Sequence, residues 1–145
     1  TKALSSKYTL LGAPGDIAPW EAAADGTWPL VRGVIAHPPG TARTATGDGT
    51  SQQLGAIAAG HHLYAALHVL SVSDTTAPSL TVAIESDSTT DFASATTQAT
   101  FTAATAQGSQ ITRVAGPITD TFYRPTWTIS GTSASFMFVI SLGIK

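Results

Sequence analysis

The closing segment, Ser135-Phe-Met-Phe-Val-Ile-Ser-Leu-Gly-Ile144, places Phe136, Phe138, Ile140, Leu142 and Ile144 at alternate positions. Successive side chains of a β-strand point to opposite faces, so this spacing makes one fully apolar face that needs a second layer to cover it. From His61 onward, short β-branched or aromatic runs recur about every ten residues between Gly, Pro, Ser and Asp, the pattern of an antiparallel sandwich or jelly roll. His62 to Ser73 is nearly apolar on both faces. Ser79 to Ser86 puts Leu80, Val82 and Ile84 on one face, with Thr81 and Glu85 on the other. Thr97 to Ala103 carries Phe101, and Ser109 to Ala115 carries Ile111 beside Arg113. Thr119 to Ser130 sets Tyr123, Trp127 and Ile129 on one side, and Pro125 within it predicts an edge strand or a bulge, because proline cannot donate to a ladder.

Residues 1–60 have a different texture. Most of the prolines lie here, and Ala13-Pro-Gly-Asp16, Ala24-Asp-Gly26, His37-Pro-Pro-Gly40 and Gly47-Asp-Gly49 read as turns. Trp28 to Ala36 predicts one strand and Tyr8 to Leu11 another, while Ala22-Ala-Ala24 has room for at most a single helical turn. The expected organisation is an all-β chain: an extended Pro/Gly-rich arm over residues 1–27 reaching a neighbouring subunit, then an antiparallel β-sandwich of jelly-roll type over 28–145. Ser71 to Ile84 also matches Thr128 to Ile140 when one residue is gapped at Pro78, which suggests two similar hairpins at corresponding places in two packed sheets.

Composition narrows the function classes. Ala, Thr and Ser fill 24, 23 and 14 of the 145 positions, and only 11% of residues are charged, with a net charge of −2. A hydrophobic fraction of 43% and a mean hydropathy of +0.16 argue for a folded chain. Without cysteine there is no disulfide framework, thiolate metal site or cysteine nucleophile, and without asparagine there is no glycosylation sequon. The basic residues Lys2, Lys7, Arg32, Arg43, Arg113, Arg124 and Lys145 are scattered and outnumbered by acids, which argues against nucleic acid as a partner. No apolar run approaches the roughly 18 residues of a spanning helix, so no membrane partner is expected. The opening Thr1 is compatible with loss of an initiator Met, and the chain reads as made in the cytoplasm. A surface so poor in charge suggests that copies of the chain or a partner cover much of it.

Chemistry-bearing groupings are sparse. Glu85, Asp87 and Asp91 cluster at a strand end, where they would suit a calcium ion or a glycosidase carboxylate pair, but the spacing reads better as a solvated loop. His62 and His68 share strand parity yet lie roughly 20 Å apart, too far to hold one ion, and His61 points away from His62. These three and His37 are read as surface or interface histidines. Gly131-Thr-Ser-Ala-Ser135 lacks the second glycine of a nucleophile elbow, and Gly47-Asp-Gly-Thr-Ser-Gln52 lacks the third glycine of a dinucleotide loop. Tyr123 and Trp127 read as core, while Trp20 and Trp28 divide evenly between anchoring the arm on a neighbour and packing locally. The chain is read as a non-enzyme, with no catalytic, cofactor-binding or metal residue and no cofactor.

One resemblance rests on His68-Val-Leu-Ser-Val-Ser73, Pro78 to Asp87, Phe92, Thr100-Phe-Thr-Ala103, Gly116 to Gly131 and Ser135 to Ile140. These stretches, spanning residues 60–145, resemble the small β-sandwich structural proteins of tailed-bacteriophage virions. The resemblance implies a capsid decoration, or cement, protein on the outer surface of the virion. Its expected partners are the major capsid protein and copies of itself, as a trimer before a dimer. A tail- or fibre-associated module that recognises a host glycan is the alternative.

Overall fold

A computed structural model describes residues 3–10, 20–26, 31–73 and 76–145. The chain divides into two compact units, Thr1–Val31 and Arg32–Lys145. The first holds β1 (Ala3–Leu10) and β2 (Trp20–Gly26), paired antiparallel from Ala3 opposite Gly26 to Leu10 opposite Trp20, with a bulge between Ser5 and Lys7. Ala22, Ala23 and Ala24, expected to form at most a helical turn, therefore lie in a strand. Alanine's helix propensity is worth little per residue, and cross-strand pairing overrides it.

The second unit contains β3 (Gly33–His37), β4 (Gly47–Asp48), β5 (Gln52–Gln53), β6 (His62–Ser73), β7 (Thr76–Asp87), β8 (Thr96–Thr100), β9 (Gly108–Ala115), β10 (Phe122–Thr132) and β11 (Ser135–Ile144). They make two antiparallel sheets, one in the order β3-β11-β6-β9 and the other β4-β10-β7-β8, with β5 also on β10. The inner faces meet in one core, where Leu63, Leu67, Leu80, Val82, Ile84, Tyr123, Phe136, Phe138, Ile140 and Leu142 are at most 1% exposed. The unit is the expected β-sandwich. The closing strand has the bounds read from its alternation, whereas the strand expected over Trp28 to Ala36 begins only at Gly33, with Val31 and Arg32 outside it, and runs on to His37; residues 28–30 lie outside the described ones.

Three expectations are corrected. The matching segments around residues 73–76 and 132–135 are not hairpins, because β6 and β7 lie in different sheets, as do β10 and β11. Both are crossings between layers, and they pair with each other: Ser73 lies opposite Ser135, and Ser79 opposite Ser130. Second, β10 is neither an edge strand nor bulged at Pro125, which lies opposite Ile84 and is fully buried. The carbonyl of Pro125 accepts from Gly49 N at 2.8 Å, so the missing N–H faces the break between β4 and β5 and not β7. Only glycine fits there, since a Cβ at position 49 would lie 2.7 Å from the Pro125 ring. The irregularity in β10 falls instead between Ser130 and Thr132, where Gly131 takes φ +121°. Third, β8 stops at Thr100, short of Ala103, although Phe101 N still donates to Val82 O and Phe101 is buried.

Two bulges aim side chains in ways alternation does not foretell. Leu70 is the extra residue of β6 opposite β11, between the Val69–Phe138 and Ser71–Met137 pairs, and the slip turns Val72 to the core while leaving Leu70 45% exposed. Ala36 is the extra residue of β3, so that Ala36 and His37 are buried in succession. Phe138→Ala is expected to cost about 3–5 kcal/mol, read as a lower midpoint in urea unfolding with an unchanged slope.

Candidate functional site

The expected carboxylate cluster is divided between two tasks. Asp87 ends β7 at 3% exposure, so it is not a solvated loop residue. One of its oxygens accepts from Ser94 N (2.9 Å); the other accepts from Thr89 N (3.1 Å) and from the hydroxyls of Ser88 and Thr89. Backbone donation from Ser94 first, then from Thr89 and Ser88, holds the Asp87 carboxyl below the usual range against the opposing effect of burial. Asp87 thus ties its loop closed, and Asp91 accepts from Thr89 Oγ1 within it.

Glu85, two residues earlier, faces elsewhere. Its Oε2 accepts from Arg124 Nε and Nη2, both at 3.1 Å, while Arg124 Nη1 reaches Asp48 at 3.5 Å. The guanidinium lies 4.3 Å from the ring centre of Phe92, a buried residue held at φ +53°. Among the described residues, no three His, Cys, Asp or Glu side chains come together as a metal site.

The histidines separate. His61 and His68 are exposed and His62 is half-buried beside Tyr64, in agreement with a surface reading, but His37 is only 5% exposed. Its ring stacks on Phe138 at 4.5 Å and lies 4.8 Å from Trp127. Burial, then the nearby positive charge of Arg43, lowers its pKa from the ordinary 6.5. Trp127 is core, as expected, and its Nε1–H donates to Ala45 O at 3.1 Å. Tyr123, also core, donates its hydroxyl to Asp120 O, and burial followed by the Asp120 charge pushes its pKa up to about 12. Trp20 opens β2, and Trp28 lies outside the described residues. Gly131–Ser135 is the crossing between β10 and β11, and Gly47–Gln52 supplies β4 and the start of β5.

What the fold assembles instead is a broad surface. On the outer face of β3-β11-β6-β9, strand register places Ile35, Ser141, Ala66 and Ile111 in one row across all four strands. Ile35 is 58% exposed and Ile111 38%, roughly 14 Å apart by strand spacing, with small residues between them. Neighbouring rows add Gly143, Tyr64 and Arg113 on one side and Val139, His68 and Ser109 on the other, with Leu70 beyond. Arg113 is the single formal charge in these rows. The opposite outer face is polar: Thr81, Thr126, Thr128, Asp48 and Arg124 line a shallow recess of about 250 Å³. Ile111 was visible in the sequence, but its alignment with Ile35 was not, because the two are brought together only through β6 and β11.

Neither a family model nor a curated protein sequence matches this chain.

Of the three shifted groups, His37 and Asp87 act in separate pH windows on the acid side. Neutral His37 is favoured in the folded state, so stability is expected to fall as pH drops from about 6.5 towards its lowered folded value. Asp87 favours the folded state only while ionised, so its contribution is lost in a second stage below pH 3.8. Thermal midpoints followed from pH 8 to pH 2.5 should show both stages; His37→Phe should abolish the first and Asp87→Asn the second.

Proposed function

We propose that this chain is a virion structural protein, a capsid decoration or cement protein that binds the outer face of a phage head as a homo-oligomer and stabilises contacts between major capsid subunits. The observation that carries the reading is the outer face of β3-β11-β6-β9: broad, shallow, nearly uncharged and flanked by exposed isoleucines. Single exposed apolar residues are ordinary on soluble proteins, but here Ile35, Ile111 and Leu70 share one outer sheet face, which suits a contact surface. A stiff sandwich that adheres to a shell needs such a surface and no pocket. The likeness of residues 60–145 to phage virion sandwiches points the same way. Localisation on the virion surface follows from this reading, as does the absence of catalysis.

The experiment is co-sedimentation with undecorated heads. Binding should saturate at a fixed ratio to capsid subunits. Ile35→Glu and Leu70→Glu should each weaken it about tenfold or more, since a carboxylate would be desolvated in the contact. Neither should alter the far-ultraviolet circular dichroism. Absence of binding, or equal binding by both variants, would overturn the role assigned to this face.

The recess on the other sheet favours a second reading, a tail- or fibre-associated module for a host glycan. Its threonine hydroxyls, the Asp48 carboxylate and the Arg124 guanidinium suit a hydroxyl-rich ligand. Saturable glycan binding lost in Asp48→Ala, with no affinity for heads, would favour it.

A further inference from the structure

We infer that the β9 edge pairs with the β9 edge of a second copy about a twofold axis at Thr112, joining two four-stranded sheets into one of eight strands. The use of such a dimer rests on the proposed virion role; its geometry does not.

β9 ends its sheet, and Gly116 N donates to His61 O at 2.8 Å, which sets the phase of the β6–β9 ladder. Gly108, Gln110, Thr112 and Val114 therefore turn their backbone groups towards β6, opposite Val69, Leu67, Ala65 and Leu63. Ser109, Ile111, Arg113 and Ala115 aim theirs at the open edge, which has no strand partner among the described residues. The strand keeps register with β6 over its whole length, contains no proline and carries one charge. The other edges of the sandwich are guarded in the ways that normally discourage pairing. β3 is bulged at Ala36 and followed by Pro38 and Pro39; β4 and β5 have two residues each; β8 has five and a register shift.

The second copy fits this edge in register. A twofold at Thr112 sets Ile111 opposite the partner's Arg113 and Ser109 opposite the partner's Ala115, so every outward N–H and C=O of these residues meets a complement, about eight hydrogen bonds in all. No two arginines lie directly opposite, an arrangement that would repel, and Thr112 meets its own equivalent as a β-branched pair. The axis stands perpendicular to the sheet, so both Ile35–Ile111 rows face the same way and form one platform, its β3 edges roughly 34 Å apart. The edge closes on itself at two copies, in place of the trimer that the resemblance favours. An eight-residue edge is smaller than a standard interface of about 800 Å² per partner, so micromolar dissociation is expected.

Light scattering on the full chain between about 1 and 200 µM should show the mass rising from 14.8 kDa towards twice that value. Ile111→Pro removes a donor that the protomer itself does not use, so it should remain monomeric with the circular dichroism of the parent. Thr112→Cys provides a test that does not depend on that variant folding. At a non-hydrogen-bonded pair the two Cα atoms lie about 4.5 Å apart, within disulfide reach, and the chain has no other cysteine. Mild oxidation should cross-link Thr112→Cys and leave Gln110→Cys, whose partner is Val114, unlinked. A parent chain that stays monomeric, an oligomer indifferent to Ile111→Pro, or a Thr112→Cys protein that does not cross-link would each overturn the inference. A dimer that ignores heads would keep it and overturn the proposed function, whereas heads bound by a trimer indifferent to Ile111→Pro would do the reverse.

Discussion

Trp127 and Phe138 meet edge to face across the sandwich, ring centres 5.4 Å apart, one from each sheet. His37 closes the group from β3, and Arg43 lies 5.7 Å over the tryptophan ring. Aromatic pairs of this geometry add to the apolar area they bury, and here the pair fixes the spacing of the two layers. The short elements around it follow from that spacing. The tryptophan N–H must find an acceptor when buried, and Ala45 O supplies one, which draws residues 45–49 against β10. Gly49 and Pro125 then meet closely enough that position 49 does not tolerate an ordinary strand residue without rearrangement.

The two outer faces of the sandwich differ in kind. One sheet turns threonines and the Arg124–Glu85 pair outward; the other turns out isoleucines, small residues and a tyrosine. The Arg124–Glu85 pair is half-buried and ties β10 to β7, whereas an isoleucine left exposed gains nothing from folding. Folding therefore does not account for the contrast. The functional proposal is accordingly placed on the less polar sheet and not on the carboxylates, of which Asp87 is held by its own loop and Glu85 by Arg124.

Legibility varied with the range of the cause. β7 and β11 could be read within a few residues because each has alternation long enough to define a face, and β6 and β9 because turn residues bound a continuous apolar run and a short β-branched one. Asp87 could be located but not its burial, since that depends on donors from Ser94, seven residues away. His37 was placed in a turn by the prolines after it; the bulge at Ala36, which carries it into the core, arises from pairing with β11 a hundred residues later. The matched segments at residues 71–84 and 128–140 were noticed as similar, yet local pattern cannot distinguish a strand pair that returns on itself from one that crosses to another layer.

By itself the sequence determined that the chain is all-β, which face of β7, β10 and β11 is apolar, and that thiolate chemistry is excluded, because side-chain periodicity and residue inventory are properties of the chain alone. Tertiary structure decided the strand order, the three-ring contact between sheets, the separate uses of Glu85 and Asp87, and the row that unites Ile35 with Ile111. Each of these depends on register between strands distant in sequence, and register is settled only when one inner face packs against the other.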